Sequence, residues 1–244
     1  MKTKIRLVAL AVSLGIVVNA QAHSIWIELT SKQSIAIRFG EFAENLREIS
    51  PGLLDSFGNL TATLISPEGE RQLVVTKDAN GFTLPAKPGK GESIVAEDQA
   101  FPLRKSERNG KEVAVWYRPA ARYIVGDSAQ TSRLDLDIAP TGQAGQFTVT
   151  FKGRPLAATD VQVLTQSGWT KQVRTDEQGR ASFDMPWKGQ YVIEASHTDS
   201  TPGERQKSDD TEKYDSVYYA TTLGFVKAKG VPVPSAGSSA TPAR

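Results

Sequence analysis

The chain has 244 residues, with 29 Lys and Arg against 27 Asp and Glu, two histidines and no cysteine. The lack of cysteine excludes disulfides and a lipid-anchored bacterial lipoprotein, so an exported fold must be held by its core alone. The near-balance of charge gives no electrostatic footprint for nucleic acid.

The chain opens with Lys2, Lys4 and Arg6, then an apolar run from Leu7 to Val18, then Ala20-Gln21-Ala22. These are the three parts of a secretory signal peptide over residues 1–22. An uncleaved membrane anchor needs about 20 apolar residues, and this run is shorter. Cleavage after Ala22 leaves 222 residues (244 minus 22) with 26 basic and 27 acidic groups. The expectation is a periplasmic protein with no stable membrane insertion after cleavage, and its first residue is His23.

From His23 the sequence alternates, with His23, Ile25, Ile27 and Leu29 on one face and Ser24, Trp26, Glu28 and Thr30 on the other, which is the period of a strand. Ser34 to Phe39 predicts a second strand. Glu41 to Phe57 is charged and lacks a regular apolar face, which suggests a functional loop with one or two helical turns around Pro51. Strands are predicted at Leu60 to Ile65, Arg71 to Thr76, Ser93 to Ala96 and Glu112 to Tyr117, separated by Gly, Pro and Asp turns. This spacing indicates an antiparallel sandwich rather than parallel βαβ units.

The polar stretch from Asp127 to Ser132 predicts a boundary near residue 130. Beyond it, strands are predicted at Leu134 to Ile138, Gln146 to Phe151, Asp160 to Leu164, Lys171 to Thr175, Ala181 to Phe183 and Gln190 to Ser196. The expected fold class is therefore all-β, with two β-sandwich domains over residues 23–130 and 131–228. Residues 229–244, rich in Pro, Ser and Ala, read as a disordered tail.

Two resemblances are visible. Gly153 to Val163, Thr175 to Phe183 and Lys188 to Ala195 resemble a transthyretin-like or carboxypeptidase-regulatory β-sandwich, which is a statement of fold and nearly empty of function. Over most of the mature chain, Ala22 to Glu28, the loop from Phe39 to Phe57 and the run from His197 to Glu204 leading into Tyr214 to Leu223 resemble the bacterial periplasmic family of domain of unknown function 4198. That resemblance implies an exported all-β protein linked with nickel or cobalt handling.

The chemistry read from the residues centres on the two histidines. A histidine in first position offers its α-amine and Nδ1 to one metal ion in a six-membered ring, and an α-amine with a pKa of about 7.7 to 8.0 gives up its proton readily near neutrality. In QYVIEASH the residues Tyr191, Ile193, Ala195 and His197 share one face, so both histidines have apolar-face parity. A shared site of His23 and His197, a histidine brace with Asp199 as fourth ligand or as acceptor for an imidazole N–H, is expected. Glu41, Glu44 and Glu204 are weaker candidates. With no cysteine and Met185 as the only methionine after cleavage, divalent nickel, cobalt or copper(II) fits better than copper(I).

The expected function is non-catalytic binding of a divalent transition metal for uptake or delivery, with an inner- or outer-membrane metal transporter as candidate partner. The competing reading is a sandwich that binds glycans or peptides, with the histidines incidental. A copper brace enzyme ranks third, because no substrate platform is identifiable.

Overall fold

The computed structural model describes residues 23–32, 34–108, 110–207 and 210–238. The expected signal peptide lies outside the described residues. In chain order the strands are β1 (Ser24–Leu29), β2 (Ile35–Glu41), β3 (Leu46–Arg47), β4 (Leu60–Ser66), β5 (Gly69–Leu73), β6 (Thr76–Asp78), β7 (Gly81–Leu84), β8 (Ser93–Asp98), β9 (Leu103–Arg108), β10 (Lys111–Ile124) and β11 (Leu136–Pro140). They continue with β12 (Gln146–Phe151), β13 (Arg154–Pro155), β14 (Asp160–Leu164), β15 (Thr170–Arg174), β16 (Arg180–Ser182), β17 (Trp187–Asp199), β18 (Gly203–Lys207), β19 (Asp210–Tyr214), β20 (Ser216–Lys227) and β21 (Val231–Pro232). Among the described residues the only helical piece is a 3-10 turn over Leu53–Ser56, so the chain is all-β as expected.

One sheet organises the rest. It runs β15-β14-β17-β20-β10-β8-β4-β5, with β9 beside β10, and so draws strands from both halves of the chain. Its centre is the parallel pair β10 and β20, in register from Val115↔Ser216 to Tyr123↔Gly224. On one face lies the sheet β1-β2-β7-β6, and on the other the sheet formed by β11, β12, β13 and β16. Alternation along β10 feeds both layers. Tyr117, Ala121 and Tyr123 enter the core with Ile25, Ile37 and Phe39, whereas Trp116 and Ile124 turn to the core with Ile138, Val149 and Phe225.

The polar stretch read as a domain boundary is therefore not a break between independent sandwiches. It wraps a buried ion pair. Arg122 and Asp137, both fully buried, meet through two parallel hydrogen bonds, Nε to Oδ1 at 3.0 Å and Nη2 to Oδ2 at 2.5 Å. Ser93, Gln130 and the Thr131 carbonyl take the other guanidinium hydrogens, and the amides of Arg133 and Leu134 donate to Asp137. Gln130 gives this pair its side chain, and Thr131, Arg133 and Leu134 give it main-chain groups, which meets the condition for burying such a pair.

The edge of β1 rests on the face of the central sheet. Its outward carbonyls meet donors or bare backbone there: Tyr117 Oη donates to His23 O (2.5 Å), Thr222 Oγ1 donates to Ile25 O (2.8 Å), and Ile27 O lies over Gly224. A Cβ at residue 224 would sit 2.3 Å from that carbonyl. Of the tail, Val231 pairs with Trp187 and Gly237 O accepts from Asn45 Nδ2 (3.2 Å), while 239–244 lie outside the described residues.

Gly224→Ala is expected to lower unfolding free energy by about 1–3 kcal/mol, since the contact is with backbone that cannot swing aside. Urea denaturation of the full chain measures it, and an unchanged midpoint would show that β1 is not seated as described.

Candidate metal centre beside the start of β1

His23 stands at the head of β1, directly before the pair Ser24↔Gly40. Gly40, at φ 139°, lets β3 close against β2, because a Cβ there would lie 2.4 Å from the Leu46 carbonyl. Glu41 ends β2 beside the imidazole, and the turn to β3 returns Glu48 to the same ring. Glu48 Oε1 is 2.7 Å from Nε2, and Glu41 Oε1 is 3.5 Å from Nδ1. Glu48 is only 3% exposed, and its amide donates to Phe39 O at 2.8 Å. The ring of Phe39 lies 5.4 Å from the imidazole.

A carboxylate only accepts, so in the neutral ring the proton shared with Glu48 sits on Nε2 and the lone pair falls on Nδ1, 3.5 Å from Glu41 Oε1. Nδ1 is the ring nitrogen nearer the residue's own main-chain nitrogen. Burial pushes the Tyr117 phenol well above its ordinary range, so it stays protonated as the donor to the His23 carbonyl.

A buried network holds the carboxylate-bearing segment in place. Glu28 accepts from Trp26 Nε1 (2.9 Å), Arg38 Nε (3.0 Å) and Arg47 Nη2 (3.0 Å), joining β1, β2 and β3. Burial alone would raise the Glu28 carboxyl, but the Arg47 charge and these hydrogen bonds keep it below the usual carboxylate range. Arg47 also lies over the Trp26 ring at 5.5 Å. Residue 48 thus follows directly on a residue clamped to β1.

Next to this group lies a cleft of about 520 Å³ between the face of β14, β17 and β20 and the turn after β2. Ser24 and Glu41 both line it. So does Glu194, which accepts a hydrogen bond from Ser24 Oγ (2.9 Å). Burial lifts the Glu194 carboxyl above its ordinary range, the Ser24 hydroxyl opposes that, and the Glu41 charge adds to it.

The expected convergence of His23 with His197 and Asp199 does not occur in this fold. Glu194 reaches Ser24, so the even residues of β17 face β1, and the unbroken pairing of β17 with β20 sends the odd residues to the opposite face. His197 accordingly packs on Phe151 (4.4 Å between ring centroids), and Asp199 pairs with Lys152 Nζ (3.1 Å). Thr201 and Lys152 pull the Asp199 carboxyl down to about 2, so it is committed as an anion to that pair. Of the weaker candidates, Glu41 is beside His23, Glu44 lines the cleft, and Glu204 pairs with Lys213 (3.5 Å). Among the described residues no three His, Cys, Asp or Glu side chains form a group able to hold a metal ion. Glu48 and Glu194 were missed by sequence reading. Glu194 lay in a strand read for its apolar face, and the signal for Glu48 was a carboxylate just after a strand-like pair in a loop judged functional.

A family model described as a domain of unknown function (DUF4198) matches residues 133–199, from the approach to β11 through β17. No curated protein and no solved structure matches the chain.

Because the folded-state pKa of Glu194 is raised, its effect on stability is most favourable below the ordinary glutamate range and is lost as pH rises through the folded value. Glu194→Gln keeps an acceptor for Ser24 and should stabilise the chain at pH 7 while flattening that decline. Denaturant midpoints between pH 4 and 8 provide the comparison, and a variant less stable than the parent at pH 7 would contradict it.

Proposed function

We propose that the exported, periplasmic chain binds a divalent transition metal without catalysis, through the α-amine and Nδ1 of His23 as the first mature residue and the carboxylate of Glu41. The observation that carries this reading is the Glu48 contact on Nε2, which turns Nδ1, the chelating nitrogen, toward the Glu41 carboxylate. At the right angle of a tetragonal ion two donors each about 2.1 Å away stand about 3.0 Å apart, and Nδ1 and Glu41 Oε1 at 3.5 Å would have to draw together to share one. The third donor in this reading is a main-chain nitrogen that cleavage would set free, not a side chain.

Nitrogen and oxygen donors of this kind suit nickel, cobalt or copper(II). The nickel-uptake role implied by the family resemblance, and delivery to an inner- or outer-membrane metal transporter, belong to this reading. The transthyretin-like likeness of the distal half supplies scaffold and no ligand. Binding of a glycan or peptide in the cleft of about 520 Å³ is the second reading, favoured by a volume within the range of small-molecule sites.

The chain beginning at His23 should bind Ni(II) at pH 7 about a hundredfold more tightly than one with a single extra residue ahead of it. Glu48→Ala should weaken binding about tenfold by freeing the ring, and His197→Ala should leave it unchanged. Titration calorimetry on the four proteins separates the cases. Equal affinity with and without the extra residue removes the metal reading and leaves the cleft ligand.

A further inference from the structure

Residues 231–238, beyond β20, bury little. All are exposed, Val231 and Val233 at 56% and 38% among them, so apolar contact contributes little to their placing. Pro232 and Pro234 have no N–H to give a ladder and keep the backbone extended. What holds the segment is main chain at one end and a side-chain hydrogen bond at the other. Gly230, at φ 144°, lies against the start of β17, where a Cβ would come 2.5 Å from Pro186 O and 2.8 Å from Lys188 N. Val231 N donates to Pro186 O at 2.9 Å, and Val231 and Pro232 run parallel to Trp187 and Lys188.

The other anchor lies in the turn between β2 and β3. Asn45 Nδ2 donates to Gly237 O at 3.2 Å, while Asn45 Oδ1 accepts from Arg47 Nη1 at 2.5 Å. Arg47 in turn is clamped to Glu28 of β1, and the residue after it is Glu48, whose carboxylate meets the His23 imidazole. One side chain thus joins the segment to the clamp that places Glu48. The central sheet does not rely on this join, because β17 pairs with β20 without a break from Gly189↔Lys227 to Asp199↔Val217.

The geometry points to residues 230–238 as a releasable strap over that turn. Closed, it steadies the line from Asn45 through Arg47 to Glu28, and with it the contact of Glu48 with His23. Released, it loosens the turn while the central sheet stays folded. A segment held by a short main-chain pairing and an exposed hydrogen bond, with its side chains in water, opens locally at a small part of the cost of global unfolding. The strap is therefore a conformational device that acts on His23 from a segment distant in sequence, and it does so whether or not a metal binds there.

The test compares the chain beginning at His23 with two variants of it, one stopped after Lys229 and one carrying Asn45→Asp. The substitution removes the donor to Gly237 O, keeps an acceptor for Arg47 and suits φ 52°. Amide hydrogen exchange is read at Asn45 and Glu48, whose N–H groups donate to Phe42 O and Phe39 O, and at the buried Val192 and Leu223 of β17 and β20. Imidazole nitrogen signals are read at the chain's two histidines, of which His197 packs on Phe151 across the central sheet and serves as reference. In both variants exchange at Asn45 and Glu48 should quicken at least about tenfold and the His23 signals should move, with Val192, Leu223 and His197 unchanged. Unchanged exchange at Glu48 in either variant overturns the inference, and so does equal quickening at Val192 and Leu223, which is a general loosening. Where the shortened chain does not fold, Asn45→Asp decides by the same readings.

Discussion

The free edge of β1 seated on the face of the central sheet is the constraint on which the molecule depends. An edge strand carries unpaired carbonyls that are costly to bury. Here each is met by something particular: a tyrosine hydroxyl at His23, a threonine hydroxyl at Ile25, and a glycine with no side chain beneath Ile27. The seat requires Tyr117, Thr222 and Gly224 on one face of adjacent strands, which the parallel register of β10 with β20 provides. With β1 so placed, β2 follows by antiparallel pairing and carries Glu41 to His23, and the turn after it brings Glu48 to the same ring.

The same central sheet explains why the chain does not divide at residue 130. Two sandwich layers use opposite faces of one set of strands, and the polar segment between the halves is folded around Arg122 and Asp137. A polar run without periodicity reads as a linker when seen alone. This run has another role, because a buried guanidinium needs partners for all five of its hydrogens and a buried carboxylate needs its own. Gln130, Thr131, Arg133 and Leu134 help to provide them through side chain, carbonyl and amide, and three of those four contributions are main-chain groups that residue type does not reveal.

What sequence could show of the site follows from the same geometry. Period-two alternation placed His23 with Ile25 and Ile27, and His197 with Tyr191 and Ile193, and in both strands those residues do share a core. Parity is a property of one strand, however, and it does not say which layer its apolar face meets. The odd face of β1 joins the core around Phe39 and Tyr117, and the odd face of β17 joins the core around Phe151 and Tyr219, on the other side of the central sheet. The strand that separates them, β20, carries Ser, Thr and Gly among its aromatics and gives only a weak alternating signal. Its length and its parallel partner are long-range features that local pattern does not encode. The all-β class was legible because turn residues and β-branched runs recur along most of the chain, whereas Glu48 and Glu194 became visible only once two distant segments were adjacent.

The fixing of residue 23 at several points bears directly on its chemistry. Its carbonyl is held by Tyr117, its distal ring nitrogen by Glu48, and the ring lies beside Phe39. A chelating histidine on a flexible terminus must lose rotamer and backbone freedom when it closes a ring on a metal, at roughly 0.5–1.5 kcal/mol for an immobilised side chain. In this fold the ring and carbonyl of residue 23 are already held by folding, so on the proposed metal reading only the amine and the Glu41 carboxylate would have to settle. The place of residue 23 follows from the seat of β1, so the edge contact that organises the fold also sets the geometry at the head of the strand.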